Sequence, residues 1–475
     1  MAKNLVSLDL TDCPSLTEVP SSLQYLDKLE KIYLFRCYNL SSFPMLDSKV
    51  LRFLLISRCL DVTTCPTISQ NMEWLWLEQT SIKEVPQSVT GKLERLCLSG
   101  CPEITKFPEI SGDIEILDLR GTAIKEVPSS IQFLTRLEVL DMSGCSKLES
   151  LPEITVPMES LHSLKLSKTG IKEIPSSLIK HMISLTFLNL DGTPIKALPE
   201  LPPSLRYLTT HDCASLETVT SSINIGRLEL GLDFTNCFKL DQKPLVAAMH
   251  LKIQVSLLTP LSFFLLSFLL ASSHFRNVTF VLQSGEEIPH DGIQMVLPGS
   301  EIPEWFGDKG IGSSVTIQLP SNCLQLKGIA FCLVFLLPPP SQDMPYEVGR
   351  DSNVDLYLDY HVKSKNSEHD GDDEVVLASG ESFLSRYLRT CDSDHMILYK
   401  LKLVNHLRKY SGNEVTFKFY SRRWRHCASQ RPFELKSCGV YLHFDENIPA
   451  DTDIYRYLQR ILHRRNYIRK KYKIC

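Results

Sequence analysis

The sequence predicts an α/β solenoid of stacked coils followed by an all-β, jelly-roll-like sandwich. Three observations predict it. One apolar pattern returns ten times in the first half at intervals of 20 to 24 residues. A small cysteine or threonine closes each return. The second half instead carries spaced runs of alternating apolar residues.

The repeated pattern is L-x-x-L-x-L-x-x-(C/T), beginning at Leu5, Leu29, Leu51, Met72, Leu93, Ile114, Leu137, Leu161, Leu185 and Leu205. A period of about 20 to 29 residues with this spacing is the leucine-rich-repeat signature, in which each unit gives one short parallel strand to a curved array. The three apolar positions point inward, and each repeat buries its core face only against its neighbours.

The ninth position holds Cys13, Cys37, Cys59, Thr80, Cys101, Thr122, Cys145, Thr169, Thr193 and Cys213. Both side chains are small and can donate to a backbone carbonyl inside the turn, so a buried ladder is expected, without zinc spacing. Segments such as I-K-E-V-P-S-S-I at Ile124–Ile131 follow the strands. There Pro128, like Pro20, Pro86, Pro175 and Pro199, is expected to turn the chain onto the convex side. The stretch Leu228–Leu240, with F-T-N-C-F-K-L-D, reads as a closing cap, ending the solenoid near Asp241. Nothing precedes the first strand to cover its apolar edge, so further upstream sequence is expected.

The expected domains are 1–241, the solenoid; 242–294, a linker; 295–445, the sandwich; and 446–475, a basic tail. Within the linker, the apolar segment 255–283 admits three readings: an intron kept in the message, a membrane or signal-anchor helix, or a buried apolar helix. Its first 19 residues, Val255–Ser273, carry no charge, which is long enough to span a bilayer, yet Pro260 interrupts them. Membrane contact is expected only if 255–273 is a true helix. The tail carries eight Lys or Arg and no acid from Ile454 onward, as an amphipathic helix or a solvated terminus would.

Composition narrows function. A hydrophobic share of 43%, a charged share of 22% and a net charge of -4 suit a soluble globular chain and argue against a dedicated nucleic-acid binder. The 15 cysteines are dispersed and odd in number, and the start lacks a signal peptide, so a reducing intracellular setting is expected. The chain has no G-x-x-x-x-G-K-(S/T), G-x-S-x-G or H-E-x-x-H. No catalytic, cofactor or metal residues are therefore assigned. The acidic run Glu368–Glu374 departs from EF-hand spacing and reads as a loop.

The binding surface is expected on the strand positions between the inward leucines. These place Lys31, Tyr33, Phe53, Trp74, Trp76, Arg95, Phe187 and Tyr207 on the concave face. Exposed aromatics with Arg have the composition of protein-interface hot spots. The competing reading is that these aromatics merely pack on one another. Trp305 and Phe306 read as core.

The E-V-P-S-S-(I/L) runs with alternating Cys and Thr resemble the repeat region of plant TIR-type nucleotide-binding leucine-rich-repeat immune receptors. V-L-P-G-S-E-I-P-E-W-F at Val296–Phe306 resembles the opening of that family's post-repeat jelly-roll domain, the C-JID, over roughly Met295–Asp445. The resemblance implies recognition of a pathogen effector or a guarded host protein in the cytoplasm or nucleus, without the nucleotide-binding module. Two rival expectations are a membrane-anchored repeat receptor and a fragment of a receptor whose TIR domain, upstream, cleaves NAD.

Overall fold

A computed structural model of the chain describes residues 4–44, 48–66, 71–85, 92–110, 113–220, 230–255, 293–321, 323–337, 354–364, 376–391, 393–401, 404–422 and 433–444. Segment 255–283 beyond Val255, the acidic run Glu368–Glu374, Pro86 and the tail 446–475 lie outside the described residues.

The first half is the expected solenoid. Its strands are β1 (Ser7–Asp9), β2 (Lys31–Phe35), β3 (Phe53–Ser57), β4 (Trp74–Trp76), β5 (Arg95–Cys97), β6 (Ile116–Asp118), β7 (Val139–Asp141), β8 (Ser163–Lys165), β9 (Phe187–Asn189), β10 (Ala197–Leu198), β11 (Tyr207–Thr209), β12 (Thr218–Val219) and β13 (Leu230–Asp233). All but β10 and β12, which pair with each other beside the coil, stack in parallel in chain order. Leu8, Ile32, Leu54, Leu75, Leu96 and Leu117 align in one inward row, and all but Leu8 are sealed from solvent. Prolines do turn the chain. Pro20 and Pro128 precede single 3₁₀ turns, Ser21–Tyr25 and Ser129–Phe133, and Pro175 precedes a six-residue helix, α1 (Ser176–His181). Units this short leave room for no more than such turns.

The cysteine and threonine ladder has a geometry the pattern alone does not give. Threonine donates to the carbonyl three residues back in its own coil, whereas cysteine reaches the equivalent carbonyl of the preceding coil. Thr122 Oγ1 lies 2.8 Å and Cys145 Sγ 3.1 Å from the same Leu119 carbonyl. Leu77 serves Thr80 and Cys101 alike, and Leu190 serves Thr193 and Cys213. The residue before each rung is left-handed, as at Gly121 with φ 65° and Gly144 with φ 77°. That turn aims the ninth side chain inward.

The stretch read as a closing cap carries another rung. Cys237 donates to the Thr210 carbonyl at 3.0 Å, and β13 continues the parallel stack. On its far side β13 pairs in parallel with β14 (Ile293–Pro298), the first strand of the second half. There follow β15 (Asp308–Ile311), β16 (Ser314–Gln318), β17 (Leu326–Leu336), β18 (Val354–Lys363), β19 (Val376–Leu388), β20 (His395–Leu401), β21 (Glu414–Arg422) and β22 (Glu434–Phe444). They form an antiparallel sandwich. One sheet, ordered β14-β20-β17-β22-β15, prolongs the solenoid sheet, and the other is β16-β21-β18-β19.

Alternation along β17 divides two cores. Ile329, Phe331, Leu333 and Phe335 face the second sheet. Ala330, Cys332 and Val334 face the other way and join the solenoid core, with Leu245, Met249 and Ile253 of helix α2 (Lys243–Val255). The sandwich thus covers the end of the repeat core, whose edge would otherwise stand open. Phe306 is buried in this core, and Trp305 stacks on His250 of α2 with ring centroids 4.3 Å apart. Among the described residues no helix is long and apolar enough to cross a membrane.

Candidate protein-binding surface

Residues paired across parallel strands share a face, so the outward positions of the solenoid form continuous rows. One row runs Lys31, Phe53, Trp74, Arg95 through direct register partners. Its members touch in sequence. The Lys31 ammonium lies 5.1 Å from the Phe53 ring centre, Phe53 meets Trp74 edge-on at 5.2 Å, and the Arg95 guanidinium lies 4.4 Å from the Trp74 ring. Cations over ring faces are attracted to the aromatic quadrupole, which orders the long side chains. Trp74 packs against its neighbours and still keeps 37% of its surface exposed.

Tyr33 and Trp76 lie on the adjacent row, separated by Leu55. The Trp76 indole N–H donates to Glu78 at 3.3 Å. Phe35, at the next outward position, was overlooked by a pattern that counted two outward positions per strand; Arg36 and Arg58 stack on it at 4.8 and 5.6 Å. Phe187 and Tyr207 are register partners, and Tyr207 is 50% exposed. They do not join the first group. Ile116, Val139 and Ser163 intervene, so four strand steps, about 19 Å, separate Arg95 from Phe187.

Between the two groups the floor is charged and internally neutralised. Arg120 binds Asp118 at 2.7 Å and approaches Asp141 at 3.9 Å, and Lys165 lies 3.5 Å from Asp141. The hydrogen bonds to Asp118 push the Arg120 guanidinium above its ordinary value.

The C-terminal end of the floor is closed by the sandwich. Val296 of β14 continues the row of Asp233, yet it is buried between the two sheets. The second sheet therefore stands on the concave side, as a wall. From the segment after β19, Arg389 reaches down to Asp191 at 2.5 Å and Asp233 at 3.5 Å, while the His211 ring meets the Thr390 carbonyl at 3.1 Å. Asp191, Asp233 and Arg389 were not among the expected site residues. Asp191 comes directly after the L-x-L frame of its coil and Asp233 sits inside an L-x-F frame, so both were legible as outward positions; Arg389 carries no local signal.

The eight expected residues thus divide into an aromatic and cationic group over β2–β5 and an aromatic pair on β9 and β11, facing one trough with a charged middle and a sandwich wall. Such a surface has rigid aromatic area and fixed charge for docking a protein, and among the described residues no group of His, Cys, Asp and Glu is placed to hold a metal ion.

Comparison with known proteins agrees with this architecture. Residues 297–448 match the C-JID domain. Over 473 residues the chain is 27% identical to Protein SUPPRESSOR OF npr1-1, CONSTITUTIVE 1 of Arabidopsis thaliana, covering 95% of this chain and 28% of that protein. Over 348 residues it is 34% identical to the Disease resistance-like protein CSA1 of the same plant, covering 70% of this chain and 27% of that one. The Disease resistance protein RPP5, also of Arabidopsis thaliana, is 26% identical over 447 residues, with 93% of this chain and 22% of that protein covered. The chain therefore spans under a third of the length of these relatives. With a solenoid of L-x-x-L-x-L coils running straight into a C-JID sandwich, the chain belongs to the plant TIR-type nucleotide-binding leucine-rich-repeat disease resistance proteins, whose repeat and C-JID regions it carries.

Proposed function

We propose that this chain is the ligand-sensing part of an immune receptor, and that its concave trough holds a protein, either a pathogen effector or a guarded host protein. The observation that carries the reading is the row Lys31–Phe53–Trp74–Arg95, whose large side chains stay accessible on a face walled at one end by the C-JID. Rigid aromatics lose little conformational entropy on binding, and a concave floor lets several of them engage one partner at once. Phe187 and Tyr207, nearer the wall, provide a second contact region, so that one ligand can touch repeats and sandwich together. Recognition takes place in the cytoplasm or nucleus, and NAD cleavage is left to a TIR domain outside this chain.

The test is capture of effector candidates by the full chain immobilised on beads, with Trp74→Ala/Trp76→Ala compared against wild type. The double variant should lose at least about tenfold in affinity for a captured effector, as truncated hot spots do. Undiminished affinity, with the fold intact by circular dichroism, contradicts the proposal.

A further inference from the structure

The trough carries one cation whose surroundings specify its partner. Arg95 sits between Trp74 and Ile116 in the outward row, and its guanidinium is held over the Trp74 ring. Its Nε–H is shut off from solvent and has no hydrogen-bond acceptor among the described residues. A guanidinium stays protonated and keeps all five N–H donors, so a buried donor without an acceptor is an unfavourable state that an incoming acceptor relieves once the side chain tilts to present it.

Acids are near Arg95, but among the described residues none forms an ion pair with it. Three glutamates, Glu73, Glu94 and Glu115, occupy the rim position on its own and the adjoining coils, where the Glu73 and Glu94 carbonyls accept from the strand next to each. Glu73 pairs with Arg52, Glu115 pairs with Arg136, and Glu94 forms no ion pair with Arg95 among the described residues. On the next strand Asp118 is taken by Arg120. Within its own row the neighbours of Arg95 are the aromatic Trp74 and the aliphatic Ile116.

We propose that Arg95 receives a carboxylate from an acidic, apolar segment of the protein partner, with Trp74 supporting the apolar side chain beside that carboxylate. This rests on the trough being the ligand surface. The planar fork of arginine matches a carboxylate through two parallel N–H donors, and the low-dielectric floor strengthens both. Lys31, three strands away at the other end of the ring pair, offers a second positive contact. The rim glutamates favour a singly charged carboxylate over a doubly charged phosphate, because repulsion grows with ligand charge.

Two fluorescently labelled peptides of equal length provide the probe, one with Asp and Glu flanking Leu and Trp, the other with Asn and Gln in the same places. Anisotropy titration of the full chain should show the acidic peptide binding about tenfold more tightly or better, the range of a charge-assisted bidentate pair. Arg95→Ala should erase the difference, Arg95→Lys should retain part of it, and Arg95→Glu should reverse it. Equal or absent binding of both peptides to the wild type overturns the proposal, as does a preference that survives Arg95→Ala. If Trp74→Ala/Trp76→Ala abolishes effector capture while Arg95→Ala leaves discrimination unchanged, the trough remains the ligand surface and the carboxylate assignment falls.

Discussion

Arg389 of the sandwich and Asp191 of the solenoid floor form an ion pair 198 residues apart in sequence. The same guanidinium reaches Asp233, so one cation from the C-JID bridges two carboxylates of the repeats. Its backbone is fixed from behind, where Cys391 and Leu337 bond reciprocally through Cys391 N–H and the Cys391 sulfur. Arg389→Ala should therefore leave buried Asp191 and half-buried Asp233 without their cation and weaken the docking of sandwich on solenoid by about 1–3 kcal/mol. Hydrogen exchange checks this: protection should fall at Tyr207–His211 and around Thr390 together, and Arg389→Lys should restore part of it. Unchanged exchange at both places would show that the continuous sheet alone holds the joint.

The left-handed turn before each rung gives two substitutions of opposite sign. Gly144 has φ 77° and Lys168, one coil later, has φ 56°. A side chain in this conformation costs about 1–2 kcal/mol. Gly144→Val should lower the urea midpoint, and Lys168→Gly should raise it by less, because glycine gains freedom in the unfolded chain. Equal effects of one sign would mean that packing, not backbone strain, governs the turn.

The ladder also sets a dependence on pH. Burial pushes the Cys59 thiol up to about 11 from an ordinary value of 9.0. Above pH 9 the unfolded chain releases this proton while the folded chain retains it, so stability is full below pH 9 and is lost as pH rises toward 11. Cys59→Thr, which installs the other residue type found on the rungs, should flatten this decline between pH 9 and 11 in equilibrium unfolding. A decline of identical slope in the variant would place the titration elsewhere.

The solenoid was legible in the sequence because a coil repeats its own chemistry. The inward leucines, the ninth-position rungs and the proline turns recur at fixed offsets, so each copy supports the others. The aromatic row was legible for the same reason, since strand alternation fixes which side chains share a face; only Phe35 escaped, sitting one position beyond the two that were counted. The extra rung at Cys237 was hidden because Glu229 stands where the apolar first position should be. Arg389 was beyond reach: its pairing with Asp191 and Asp233 depends on how the sandwich seats on the coil, and nothing in the neighbouring residues encodes that seating.

The most direct measurement is hydrogen exchange on the full chain with and without an effector that it captures. The proposed recognition predicts protection concentrated on strands β2 to β5, where Lys31, Phe53, Trp74 and Arg95 lie, extending to β9 and β11. Protection confined to the proline-led turns on the opposite side, with those strands unaffected, would contradict it.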